Sequence, residues 1–335
     1  MGKNKVKLGQ FFTRKNLWLK PQIKQFIKDS NCSIAYDPFA GAGDLLFCSQ
    51  DYDISDTKGL DIDDKLNWEL NDSLKNIPHM DDAIIITNPP YLTNYSAKRK
   101  KIYSGLGRYF KKYTDLYQLA IVKMLKAQDY IVAIIPETFI NSSFLNEVHK
   151  RIKSITILVN NPFEDTENPV CVVCFDNNAL EDRDTDVYIE DEYINSLKYI
   201  KSKMMEPLRK YKIDFNNVNG KLAIRAVDMP SVDKKIKFMS VDDLSYDLNN
   251  IKNSSRLITV VDIENLDIDI NLLADKCNSI LAKYREETRD INLSPFKGNA
   301  KDGTRRRRLD YKTARAIIEI AIDLILNENV MEVDI

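Results

Sequence analysis

The sequence predicts an α/β fold: a doubly wound, mostly parallel sheet followed by a smaller mixed α+β domain. Three observations support this. The first half alternates short apolar strands with helical periods, three of those strands end in an acid or an amide next to a turn, and the pattern becomes irregular beyond Phe175. Strands separated by helices imply a sheet covered on both faces, with ligands beyond the carboxyl ends of the strands. A chain of 335 residues suits two domains; we place them at residues 1–190 and 191–335.

Ile34 to Asp37 is a short apolar strand ending in an acid and Pro38, followed by a glycine turn and an apolar helix start at Leu45, Leu46 and Phe47. Lys58 to Asp61 and Ala83 to Thr87 are the next two strands, the latter stopped by Asn88-Pro89-Pro90. Residues 115–127 have a helical period, Tyr130 to Ile135 reads as strand, 143–153 as helix, and Ile155 to Val159 and Val170 to Phe175 as strands. No helix separates the last two, which predicts that one runs antiparallel. The acidic stretch to Glu192 marks a boundary. Beyond it we expect a helix over 194–211, a strand pair around Gly220, a strand from Arg256 to Val261, a helix over 270–287, a basic loop and a helix over 311–327.

Composition narrows the class. Charged residues are 30% and hydrophobic ones 44%, as in globular chains, and no apolar run reaches the ~18 residues of a membrane span, so no membrane partner and a cytoplasmic location are expected. The net charge of -1 hides local segregation: residues 1–28 hold eight bases and no acid, and 92–114 hold seven bases and no acid. Residues 51–82 hold ten acids against three bases, and 161–195 eleven against one. Five irregularly spaced cysteines do not form a disulfide framework, and Cys171 and Cys174 sit three apart in a strand, on opposite faces. Two histidines are too few for a histidine-based zinc or nucleophile-activating site, so no metal is expected.

Asp37, Asp61 and Asn88 end successive strands, which a doubly wound sheet brings side by side. Gly41 and Gly43 let the backbone approach a ligand closely, and a carboxylate at the end of the next strand can accept from both ribose hydroxyls. This describes a nucleoside-containing cofactor. Leu46 stands where a dinucleotide motif has its third glycine, and no G-x-x-x-x-G-K-[ST] loop is present.

Together, the glycine motif and Asn88-Pro89-Pro90-Tyr91 resemble the S-adenosyl-L-methionine-dependent amino methyltransferases. The resemblance implies a Rossmann-like class I methyltransferase sheet with an antiparallel last strand. An amino group conjugated to a ring is a poor nucleophile because its lone pair is delocalised. The Asn88 oxygen and the Pro89 carbonyl would accept its protons and hold the nitrogen pyramidal, while two prolines fix the carbonyl geometry. Tyr91 would stack on the presented ring.

Gly9-Gln-Phe-Phe-Thr13 resembles the element that precedes the glycine motif in gamma-class DNA adenine-N6 methyltransferases of the restriction-modification type, with Arg14 where proline is usual. That resemblance, which covers about residues 7 to 176, implies cofactor contacts from Phe12, Thr13, Asp37, Phe39, Gly41, Gly43, Asp61, Ile62, Asp72 and Asn88. It also implies a target-base contact from Phe163. Its substrate would be double-stranded DNA with a flipped-out adenine, leaving room for a separate cognate restriction endonuclease. RNA adenine-N6 or protein glutamine methylation is the alternative. DNA contacts are expected from Lys98, Arg99, Lys100, Lys101 and Arg108, which interleave with tyrosines. The run Arg305, Arg306, Arg307, Arg308 in the second domain is expected to contact DNA as well.

Overall fold

In the computed structural model, residues 17–163 and 166–333 are described. The chain divides into two compact units, Met1–Leu197 and Lys198–Ile335. The strands of the first unit are β1 (Ile34–Asp37), β2 (Asp56–Asp61), β3 (Glu69–Leu70), β4 (Ala83–Thr87), β5 (Tyr130–Pro136), β6 (Ile152–Leu158), β7 (Val170–Phe175), β8 (Asp186–Ile189) and β9 (Glu192–Ser196). They form one sheet of order β3-β2-β1-β4-β5-β7-β6-β8-β9.

β3, β2, β1, β4 and β5 run parallel, and β7 runs antiparallel to both β5 and β6, as the missing helix between β6 and β7 predicts. Every residue of β4 and β7 is buried, as expected of strands covered on both faces. Cys171 and Cys174 are free and buried in β7. The helix Leu116–Ala127 crosses from β4 to β5, opened by the capping box of Asp115 and Gln118.

Local expectations differ at three places in this unit. A 3-10 helix, Leu46–Tyr52, follows the glycine turn in place of an α-helix. The helix expected over 143–153 is shorter, Leu145–Val148 followed by a 3-10 turn, His149–Arg151, because the β-branched run from Ile152 is drawn into the sheet as β6. The acidic stretch read as a boundary carries β8 and β9, which pair as a hairpin and extend the sheet. Charges on this hairpin suit the edge of a sheet, where they discourage pairing with other chains.

The helix expected over 194–211 falls across the division of the chain: β9 runs to Ser196 and a helix covers only Leu197–Ser202, with Pro207 barring its extension. The second unit has an antiparallel sheet of order β10-β13-β11-β12, built from β10 (Ile213–Phe215), β11 (Leu222–Arg225), β12 (Lys237–Ser240) and β13 (Ile258–Ile263). The strands flanking Gly220 do not pair with each other; β13 lies between them. An added Cβ at Gly220 would lie 2.2 Å from the Val261 carbonyl oxygen, so only glycine permits this close approach. Helices Ile270–Thr288 and Tyr311–Val333 contribute Leu273, Cys277, Leu281, Ile317, Ile318 and Ile322 to its core.

The arginine run is not a loop. Arg305–Arg308 is strand β15, paired antiparallel with β14 (Ser294–Asn299). Among the described residues, no helix is long and apolar enough to cross a membrane.

Candidate functional site

The ends of β2, β1 and β4 lie side by side and open onto a cavity of about 300 Å³. Among the expected residues, Asp37, Phe39, Gly41, Asp61, Ile62, Asp72, Asn88, Pro90 and Arg108 line it. Phe12 and Thr13 lie outside the described residues. The volume is at the lower end of the range for small-molecule sites.

Each strand end is held by its own hydrogen bonds. Asp37 Oδ1 accepts from the Phe39 amide at 2.9 Å and from the Thr87 hydroxyl at 2.6 Å, joining the end of β1 to the end of β4. Burial pushes the Asp37 carboxyl up to about 7, against the two hydrogen bonds and with help from the Asp61 charge. Asp61 Oδ2 accepts from the Gly41 amide at 2.8 Å, and its Oδ1 accepts from Asp63 at 2.9 Å. Thus the acid at the end of β2 also shapes the glycine turn after β1. Gly41 has φ +56, and an added Cβ there would meet only the Phe39 carbonyl oxygen, at 3.9 Å. The space beside its α-carbon is therefore the open pocket.

Gly43 faces away from that space. Its absent Cβ would collide with Trp68 at 2.8 Å and Phe47 at 2.9 Å, and at Gly59 in β2 it would meet the same indole at 2.4 Å. Trp68 donates its indole N–H to the Gly41 carbonyl at 3.0 Å, so one tryptophan buttresses the turn from behind. Trp68 is a site-shaping residue that sequence reasoning missed; Gly59 inside a strand was its available signal.

Tyr91 also departs from expectation. Its ring is buried, edge-on to Phe163 with centroids 6.2 Å apart, rather than open for stacking. Its hydroxyl bonds the Asn88 Oδ1 and the Ile134 carbonyl oxygen, the latter at 2.6 Å. Pro89, Tyr91 and Phe163 do not line the cavity, whereas Asn88 does. Packing against β5 and its neighbours buries the apolar body of the tyrosine and satisfies its polar end.

The basic segment after this loop folds into two short helices, Asn94–Arg99 and Tyr103–Leu106, and a 3-10 turn, Gly107–Phe110. Tyr109 and Phe110 are buried in a small cluster with Leu92, Ala97 and Leu116. Two of the interleaved aromatics thus hold the segment together, while Tyr95, at 73% exposure, projects into solvent. Lys98, Arg99 and Lys101 are exposed, and Lys100 is half-buried.

In the second unit, the arginines expected to contact DNA are not a fully exposed run: Arg307 is 2% exposed, and Arg305, Arg306 and Arg308 are half-buried. Arg306 donates to the carbonyls of Asp228 and Lys297 and lies over Phe296, and Arg305 donates to Asn299 Oδ1. Asp228, fully buried, accepts from both terminal nitrogens of Arg285 and from the amides of Ile236 and Arg307. Burial alone would raise its carboxyl; the Arg285 bonds and charge hold it below the usual range.

Among the described residues, no group of three or more His, Cys, Asp or Glu side chains is placed to hold a metal ion. Residues 11–162 match the model of the Eco57I restriction-modification methylase family. No curated protein matches the chain in sequence. Solved structures similar to it include three with low identity. One from Listeria monocytogenes, described as a class I S-adenosylmethionine-dependent methyltransferase, is 14% identical, with a TM-score of 0.36 over 50% of this chain and 63% of that one. The methyltransferase subunit of a type I restriction-modification system from Streptococcus thermophilus is 16% identical, with a TM-score of 0.38 over 54% and 47%. The EcoKI M protein is 10% identical, with a TM-score of 0.35 over 80% and 69%. The chain thus spans less than two thirds of the length of the first two.

Proposed function

We propose that the first unit binds S-adenosyl-L-methionine at the strand-end cavity and methylates N6 of an adenine flipped out of duplex DNA, with the second unit reading the DNA sequence. The carrying observation is that Asn88 borders the same cavity as Asp37, Gly41 and Asp61. The family match over 11–162 supports the restriction-modification class of methylase. Cleavage of unmodified DNA is assigned to a separate cognate endonuclease.

The residues fit the cofactor. The Gly41 cradle is open where a side chain would fill it, and Asp61 keeps acceptor capacity on both oxygens for the ribose hydroxyls. Ile62, 60% exposed on the cavity wall, offers an apolar face to an adenine ring. Bound there, the cofactor supplies an electrophilic methyl group.

Asn88 then acts on the acceptor. Tyr91 has one hydroxyl proton and two acceptors, Asn88 Oδ1 and the Ile134 carbonyl. An amide oxygen has two lone pairs, so Asn88 Oδ1 can accept from the target amino group as well as from Tyr91. With the Pro89 carbonyl as the second acceptor, the nitrogen lone pair is freed for attack. The adenine must leave the stack, because a paired amino group cannot meet Asn88. Lys98, Arg99, Lys100 and Lys101 would hold the phosphate backbone beside the flipped base.

The test supplies methyl-labelled cofactor with duplex DNA, ribosomal RNA and a protein extract in parallel. Label at adenine N6 within a defined duplex sequence is the expected outcome. Label confined to RNA or to glutamine would reassign the substrate.

A further inference from the structure

Asp72 borders the cavity, and the basic segment meets it there. Gly105, Leu106, Arg108 and Tyr109 line the cavity together with Asn71, Asp72, Ser73 and Leu74. The Tyr109 hydroxyl donates to Asp72 Oδ2 at 2.5 Å, and Arg108 donates to the Tyr109 oxygen at 2.8 Å while its guanidinium lies over that ring at 4.7 Å. Arg108 and Lys75 also approach Asp72 Oδ2, at 3.6 Å and 3.1 Å. All four contacts or relays therefore converge on one carboxylate oxygen. Burial tends to raise this carboxyl, but the bonds from Tyr109 and Lys75 and the two charges keep it below the usual range and hence ionised.

A carboxylate held by one oxygen has a fixed orientation and presents the other. Tyr109 can serve as such a clamp because its ring is locked in the cluster with Phe110, Leu92 and Leu116, with Leu74 packed against it. Tyrosine loses little entropy on being fixed, having two side-chain torsions. Arg108 donates to the phenol oxygen, which polarises the O–H toward Asp72.

We propose that Tyr109, steadied by Arg108, is a positioning residue of the adenine end of the cavity. It clamps Asp72 through Oδ2 so that Oδ1 accepts from the exocyclic amino group of an adenine nucleoside. This rests on reading the cavity as the cofactor site. It assigns Arg108 to the cavity rather than to a phosphate contact. It also makes the acceptor-side segment one wall of the nucleoside pocket and gives that pocket selectivity for an amino group over a carbonyl oxygen.

The experiment is calorimetric titration of the full chain and its Tyr109→Phe variant with S-adenosylhomocysteine and with its inosine analogue, which carries a carbonyl oxygen in place of the amino group. The phenylalanine ring preserves the packing, and a matching melting temperature verifies this. The wild type should prefer the adenosine form, and the variant should bind that form about tenfold more weakly while losing less toward the inosine form. In an Asp72→Ala background the Tyr109→Phe change should have no further effect, because the two residues act as one unit. Unchanged affinity in the variant, or equal losses for both ligands, overturns the positioning role. A wild type that binds neither ligand overturns the cofactor reading beneath it.

Discussion

In the first unit, Asp37, Asp61 and Asn88 border a cavity, whereas in the second, the Arg285 guanidinium holds the buried Asp228 carboxylate, which also accepts from the Arg307 amide, and Arg306 donates to the Asp228 backbone carbonyl. In sequence, both the strand ends and the arginine run read as functional. The difference lies in what surrounds each backbone. A residue at the carboxyl end of a parallel strand, like Asp37 and Asp61, or just past it, like Asn88, lies at the crevice above the sheet. A residue within a strand has its side decided by alternation and by whatever packs on that face, which a charge run does not reveal. In the first unit the strand-end acids thus border a cavity, and in the second Asp228 and Arg285 are tied into the fold.

The largest expected effect tests the structural half of this contrast. Asp228→Ala removes the acceptor for two Arg285 donors and two buried amides, and should cost about 3 to 5 kcal/mol, read as a lower urea midpoint. A variant as stable as the wild type would erase the distinction between the regions.

Asp37 gives the next effect, with a sign that the pocket half requires. Its carboxyl ionises near 3.8 when free and at about 7 in the fold. Between those values the folded chain holds a proton that the unfolded chain has released. Stability thus falls as pH rises from about 4 to about 7, by at most about 4 kcal/mol. Asp115, pushed up to about 6 by burial, adds to the lower part of the same window. Asn at position 37 keeps an oxygen for both Phe39 and Thr87, so Asp37→Asn should remove most of this slope and raise stability at pH 8. Urea titrations at several pH values measure it.

Asp61→Ala should weaken S-adenosylmethionine binding by about 1.5 to 3 kcal/mol, because ribose acceptors and the brace on Gly41 are lost together. Unchanged affinity in calorimetry removes Asp61 from the site. The smallest effect concerns DNA: replacing Lys98, Arg99, Lys100 and Lys101 by alanine should lower the salt slope of binding by about two to three units. By contrast, Arg307→Ala should lower the melting temperature and leave that slope unchanged, since its side chain is buried.

The same contrast explains what could be read without coordinates. The strand-end residues were legible because alternation of strand and helix determines where carboxyl ends gather. The antiparallel β7 was legible from a missing helix. Long-range packing was not. Nothing near Trp68 in sequence says that its ring lies against Gly43 and Gly59, and nothing in Asn-Pro-Pro-Tyr says that the tyrosine will turn inward to Ile134. The helix expected over 143–153 stops at Arg151 because a β-branched run from Ile152 joins the sheet. Nor does the sequence say that Tyr109, one of the tyrosines interleaved with the basic residues, donates to Asp72, 37 positions away.

The most direct test is single-turnover methyl transfer to duplex DNA by the wild type and by Asn88→Ala, each saturated with S-adenosylmethionine. Because Asn88 is assigned to the acceptor nitrogen in the transition state, the variant should bind cofactor within a few fold of the wild type. It should nevertheless lose at least a hundredfold in the rate of N6-methyladenine formation, as on removing a preorganised polar group from a transition state. Transfer at near wild-type rate by the variant would contradict the account, because the cavity would then be working without the residue that gives it a substrate.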